Sequence, residues 1–180
     1  MGEEGGGEAP AVRFCHGWQA RTDVAIGALL ADHAVLRTLC DRLEALADGL
    51  PGLPPGGERY AAAEALTGLL PAHQRRESRL LDSLLPLAGR PAVARALLDR
   101  IRCQHVADRV HAQDLVAALE EAPGGGDADA LGYMLRCFFD GCRRALAFEE
   151  LAMLKLGRRR LSEASRDLLT ASLGTGEGGG

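Results

Sequence analysis

The residues best able to do chemistry are His33, His73, His105 and His111 with Glu77, Asp108 and Glu149. His73 and Glu77 are four apart and His105 and Asp108 three apart, so on a helix each pair projects from one face, one residue above the other. His111 lies three residues beyond Asp108, one step off that face, and can turn in at its edge. Burying three ionised carboxylates without partners costs several kcal/mol each, more than a fold of ~5 to 15 kcal/mol total stability can absorb. Something positive should therefore sit among them. Two divalent or trivalent ions would satisfy the carboxylates and neutral imidazoles, and a mixed N/O donor set suits iron or manganese better than a thiolate-seeking metal. The plainer assignment competes at each position. A single helical histidine is more often a satisfied core or boundary residue, and Asp108 or Glu149 could pair with Arg76, Arg109 or Arg144.

The elements that must position these groups are helices. Glycine and proline gather at 51–57, at Gly89-Arg90-Pro91 and at Pro123-Gly124-Gly125-Gly126, and the segments between are rich in Ala, Leu, Arg and Glu and poor in β-branched residues. Four helices of about 25 to 30 residues follow, each roughly 40 Å long. The first is expected to start near Thr22 or Asp23 and end at Gly49, the third to open with Pro91 in its first turn, and the fourth to run from a cap at Asp127 or Asp129 to Gly157. Each carries an alternating three-four apolar stripe: Ile26, Leu29, Leu36, Cys40, Leu43, Ala47 in the first; Leu66, Leu70, Leu80, Leu84 in the second; Ala94, Leu98, Ile101, Ala112, Leu115, Leu119 in the third; Leu131, Leu135, Phe138, Cys142, Ala145, Ala152, Leu156 in the fourth. The candidate ligands interrupt these stripes near mid-helix. Long amphipathic helices on short connections argue an all-α, up-down-up-down four-helix bundle. Pro71 conflicts locally and should kink the second helix or start it afresh before His73.

The domain plan is a flexible tail over 1–20, the bundle over 21–161, a short C-terminal fifth helix over 162–173, and a disordered glycine-rich tail over 174–180. With 21 basic against 25 acidic residues and a net charge of −4, nothing draws the chain toward nucleic acid. No apolar run approaches the ~18 to 20 residues that span a bilayer, so no membrane partner is expected. The acidic, glycine-rich start lacks the pattern of a secretory signal, which makes the cytoplasm the simplest compartment. Five cysteines without a CxxC read as reduced thiols, chiefly small buried hydrophobes. Cys15-His16-Gly17-Trp18 precedes the bundle, and Trp18 is expected to pack over a helix end; Arg158 to Arg160 form a cation cluster suited to a helix C-terminus. No P-loop, GxGxxG after a strand, GxSxG or HExxH occurs.

Over approximately Ala25 to Leu161 the chain resembles the hemerythrin-like HHE cation-binding family. The resemblance rests on Leu30 to Leu36 around His33, on His73-Gln74-Arg75-Arg76-Glu77 followed by Leu80-Leu81, on Gln104-His105 leading to Asp108 and His111, on Leu131 to Phe139, and on Phe148-Glu149-Glu150 before Arg158 to Leu161. It implies a four-helix bundle with a non-haem di-iron centre, His33, His73, Glu77, His105 and Glu149 as ligands, and a role in binding or sensing oxygen or nitric oxide or in handling iron. The chain departs from the family where the fourth helix should read HxxxE, for Ala145 holds the histidine position. Ser83 and Lys155 stand where the family often has proline, and near Arg109, a cation that would oppose a second metal, close relatives are expected to carry an acidic residue. One terminal ligand of one iron is thus missing. Either His111 substitutes, or one metal is labile, or only the bundle is kept.

The first reading is a binding protein carrying one or two non-haem iron ions, with metal ions and a small diatomic ligand such as O2 or NO as its partners. Its alternatives are a metal-free helical interaction or regulatory module with a decayed site, and a di-iron oxidoreductase acting on peroxide, O2 or NO.

Overall fold

The computed structural model describes residues 10–52, 56–85, 91–121 and 127–175, with side chains from Gly17 to Gly174. Every regular element among them is helical: α1 Pro10–Asp48, α2 Gly56–Leu84, α3 Ala92–Glu121, α4 Ala128–Gly157 and α5 Glu163–Thr175. α1 packs against α2 and α4, and α3 against the same two, which closes a ring of four long helices; α5 lies against α1 and α4. The apolar core is split in two. One cluster holds Leu36, Leu43, Leu66, Leu70, Leu115, Leu119, Leu135 and Phe138; the other holds Ile26, Leu29, Leu80, Leu84, Leu98, Ile101, Met153 and Leu169. Along α1 and α3 the chain passes from the second cluster to the first, and along α2 and α4 from the first to the second, so neighbouring helices run antiparallel. Between the two clusters lies the layer of buried polar residues.

The stripes read from spacing are the buried faces of α1, α2 and α3. In α4 the spacing drifts, leaving Ala145 and Leu156 half-buried, while Leu146, Glu150 and Met153 are buried. The physical reason is that α4 is covered from two sides, by the bundle and by α5, so its apolar face is wider than one stripe. α4 starts where a cap was expected: the Asp127 carboxylate accepts hydrogen bonds from the backbone N–H groups of Asp129 and Ala130 at 2.9 and 3.3 Å.

Four expectations about helix ends and breaks are not met. α1 begins at Pro10, not at Thr22 or Asp23, so residues 10–20 of the expected tail are helical. Proline suits a first helical position, and Trp18 packs against the second apolar cluster with the Arg160 guanidinium 5.9 Å from its ring centre, which offsets the weak propensity of Gly17. α2 runs through Pro71 as one helix rather than starting again before His73; packing of Leu66 and Leu70 on one side and Leu80 and Leu81 on the other holds it through the lost hydrogen bond. Pro91 stands just outside α3, its carbonyl accepting from the Arg95 N–H at 3.1 Å. Gly174 and Thr175, expected in the C-terminal tail, close α5. Residues 1–9 and 176–180 of the two expected tails, and the side chains of Cys15 and His16, lie outside the described residues. Cys40 and Cys142 are buried free thiols, and Cys103 and Cys137 exposed ones. Among the described residues no helix is long and apolar enough to cross a membrane.

Candidate metal centre

Each helix of the bundle contributes to the polar layer at the level where its stripe is interrupted. α1 supplies His33, α2 supplies His73 and Glu77, α3 supplies His105 and α4 supplies Glu149; all five are buried, His33 and Glu77 completely. Their donor atoms fall into two groups, His33 with His73 and Glu149, and Glu77 with His105 and Glu149, each within 4.8 Å. Glu149 belongs to both. Its Oε2 lies 3.6 Å from His33 Nε2 and 3.5 Å from His73 Nε2, and its Oε1 lies 3.4 Å from His105 Nε2. The imidazoles of His33 and His73 stand edge to face with ring centres 4.9 Å apart.

Buried polar atoms are nearly always hydrogen-bonded, and here a set of them is not. His33 Nε2, both Glu77 oxygens, His105 Nε2 and Glu149 Oε2 are buried without a hydrogen bond. His105 Nε2 approaches Glu77 Oε2 to 2.7 Å without the directionality of a hydrogen bond. Donor atoms turned toward one another at these separations are what two neighbouring cations would fill, because metal bonds near 2 Å place two ligands of one ion at about 3 to 4 Å from each other. The residues present fit such ions: three imidazoles and two carboxylates, with Glu149 in the place of a shared ligand.

The cluster is also strongly coupled electrically. Burial pushes the Glu77 carboxyl up and the nearby Glu149 charge adds to this, outweighing contact with His105. Burial would lower His105, but the Glu149 and Glu77 carboxylates overcome it and raise the imidazole to about 9. Burial would likewise raise Glu149, yet contact with His105 and His73 takes it down to about 2. Without a cation, protons shared among these groups are what neutralise the layer.

Two of the seven residues picked from the sequence stand apart from the close donor groups. Asp108 is buried, its Oδ1 accepting from Gln104 Nε2 at 2.8 Å, and burial raises its pKa despite that hydrogen bond. His111 is exposed. Both line a cavity of about 310 Å³ between α3 and α4, together with Ala145 and Glu149. The cavity thus opens beside Glu149 at Ala145, and His111 is in neither of the two donor groups. The ion-pair alternative fails at these positions. Arg76 binds Asp32, Arg109 Nη1 reaches Gln74 Oε1 at 3.5 Å, and among the described residues no arginine pairs with Asp108 or Glu149.

One residue of the site escaped the sequence. Glu150, fully buried, places Oε1 2.6 Å from His33 Nδ1, and Arg37 Nη2 donates to the same oxygen at 2.8 Å. Burial would raise this carboxyl, but His33 and Arg37 hold it below the usual carboxylate range, so it is ionised and the Nδ1 proton points to it. With Nδ1 donating to Glu150, a neutral His33 ring would carry its lone pair on Nε2, facing Glu149, which is the tautomer a metal needs. The only signal in the sequence was a second glutamate directly after Glu149.

No curated protein and no solved structure matches the chain. A family profile does, described as the hemerythrin HHE cation binding domain, over residues 24–156, the span that contains α1 from Val24 onward, α2, α3 and all but the last residue of α4. With that match over most of its length and a buried histidine–glutamate cluster at the bundle's centre, the chain belongs to the hemerythrin HHE cation-binding domain family.

Proposed function

We propose that the protein is a cytoplasmic non-haem iron-binding protein that holds two adjacent ions, His33, His73 and Glu149 ligating one and Glu77, His105 and Glu149 the other, and that it binds or senses a small diatomic ligand such as O2 or NO. The observation that carries this reading is the pair of donor groups sharing Glu149, with inward-facing atoms that have no other partner. Bound iron would supply a redox-active Lewis acid, for which an N/O donor set of this kind is suited. The chain's own residues exclude bulk water from the layer by the apolar clusters above and below it. At the second position Ala145 supplies no imidazole, which leaves three protein donors, of which Glu149 lines the cavity between α3 and α4. Three protein ligands with an open position are the arrangement of a site that takes an outside ligand, as against a closed structural one. Asp108 and His111 are placed there beside the ligand's path rather than on the metal. This opening favours ligand binding over iron storage alone.

A second reading has one observation in its favour. The raised pKa of His105 beside Glu77 and Glu149 is consistent with protons neutralising the layer, as a metal-free interaction module would require. Metal analysis of purified protein, with optical spectra under argon and under oxygen or NO, separates the two. Iron at one to two ions per chain, with bands that change when the gas is admitted, is the expected result. Protein that purifies without metal and takes none up from anaerobic Fe(II) would establish the metal-free module instead.

A further inference from the structure

Glu150 Oε1 receives a third contact, from an element outside the bundle. Ser172, on α5, places its hydroxyl 3.0 Å from that oxygen, and Arg37 Nη1 donates to the same hydroxyl at 3.3 Å. His33, Arg37 and Ser172 thus converge on one carboxylate oxygen, drawn from α1 and α5 onto α4. α5 lies beyond the residues matched by the family profile. It is tied down at its other end as well: Ser162 and Ser165 both donate to Asp23 Oδ1, at 2.6 and 2.5 Å, and Leu169 is fully buried in the second apolar cluster.

We infer that Glu150 is a positioning residue for the His33 metal position, and that α5, through Ser172, sets how tightly that position holds its ion. The inference rests on the metal-binding reading above. The physical reason is that an imidazole ligand is only as well oriented as the group its other nitrogen meets. Glu150 fixes the tautomer and the ring plane of His33, and its own Oε1 is fixed by Arg37 and Ser172. When α5 is docked, the carboxylate has both neighbours and the ring is held with Nε2 toward Glu149. When Ser172 is withdrawn, Arg37 loses a neighbour too, and Glu150 can turn about its last torsion, since Oε2 has no hydrogen bond to hold it. The effect belongs to one ion. His105 and Glu77 of the second position stand on α3 and α2, whereas α5 packs chiefly against α1 and α4, so their affinity should not follow its docking.

The test is titration of the full-length metal-free protein with Co(II), an ion whose visible bands report its ligands, in competition with a chelator. Glu150→Gln should weaken one of two Co(II) positions by about 10- to 100-fold and shift its bands, leaving the other unchanged. Ser172→Ala should weaken the same position by about two- to fivefold, as loss of one neutral hydrogen bond implies. Thr170→Ala, on the same helix, removes a hydroxyl that donates to its own helix's Arg166 carbonyl and should bind as wild type does. If Glu150→Gln and Ser172→Ala fold with helical content unchanged and match the wild-type affinities and bands, the inference is wrong although the metal reading stands. A wild-type protein that takes up no Co(II) overturns both. A lowered melting temperature with unaltered Co(II) binding would give Glu150 a merely structural role and also overturn it.

Discussion

A side chain's neighbours, rather than its type, decide what it can do in this protein. His33 and His73 are both buried on facing helices, but only His33 has a carboxylate on its far nitrogen; His73 Nδ1 is buried without a hydrogen bond. Glu149 and Glu150 are adjacent, and about 100° of helix rotation sends one toward the imidazoles and the other toward Arg37 and α5. That is also why the sequence disclosed the first and not the second. Glu149 continues a stripe of apolar residues, whereas Glu150 falls beside the stripe, where a charged residue normally meets water; here α1, through His33 and Arg37, and α5, through Ser172, close over it. Ala145 was legible as a departure because the family's motif has histidine there. Its consequence, an opening rather than a substituted ligand, needed the position of His111. The change that follows is Ala145→His. An added imidazole one turn before Glu149 faces the cavity and should tighten the second position by about tenfold or more, bringing occupancy closer to two ions per chain in metal analysis. Unchanged stoichiometry and affinity in a folded variant would show that the opening does not adjoin a metal.

At the scale of elements, the buried faces of three of the four long helices could be read almost residue by residue, because a 3.6-residue period is a local signal. The cap at Asp127 was legible for the same reason. What failed was set by tertiary contact. The early start of α1 depends on Trp18 finding the second apolar cluster and Arg160, and the passage of α2 through Pro71 depends on packing to either side of it. The short C-terminal helix was visible as a segment, but its role was not. Ser162 gives it a cap, donating to Asp23 while accepting from the Ser165 N–H at 3.0 Å, and the contact that matters for the site lies three turns later at Ser172. Nothing in the local composition of α5 points to a buried carboxylate on α4.

For the whole molecule, the polar layer divides the apolar core, and its neutralisation must enter the stability of the fold. The sign follows from the shifts. His105 has its folded pKa raised to about 9 from an ordinary 6.5, so in metal-free protein its contribution is fully present below pH 6.5 and is lost as pH rises through 9. Glu77, also raised, works in the same direction from a lower starting point. Glu149, lowered to about 2 from 4.5, contributes above pH 4.5 and loses that contribution as pH falls through 2. Metal-free protein should therefore be most stable between these limits and weaken toward pH 9. Metal ions replace the protons, so their stabilisation grows over that range; at a hundredfold excess over Kd it amounts to about 2.7 kcal/mol, or roughly 5 to 10 °C in melting temperature for a chain of this size. Melting curves with and without chelator at pH 6, 7.5 and 9 should diverge as pH rises. Curves that coincide throughout would mean that protons alone neutralise the layer.

Because Glu149 is common to both donor groups, the most direct measurement is anaerobic Fe(II) titration of the wild type beside Glu149→Gln, a change that keeps the side chain's shape and removes its charge. The wild type should bind up to two ions, and the variant, with its helical content intact, should bind each more than about a hundredfold more weakly. Equal binding by the two proteins would contradict a metal pair centred on Glu149.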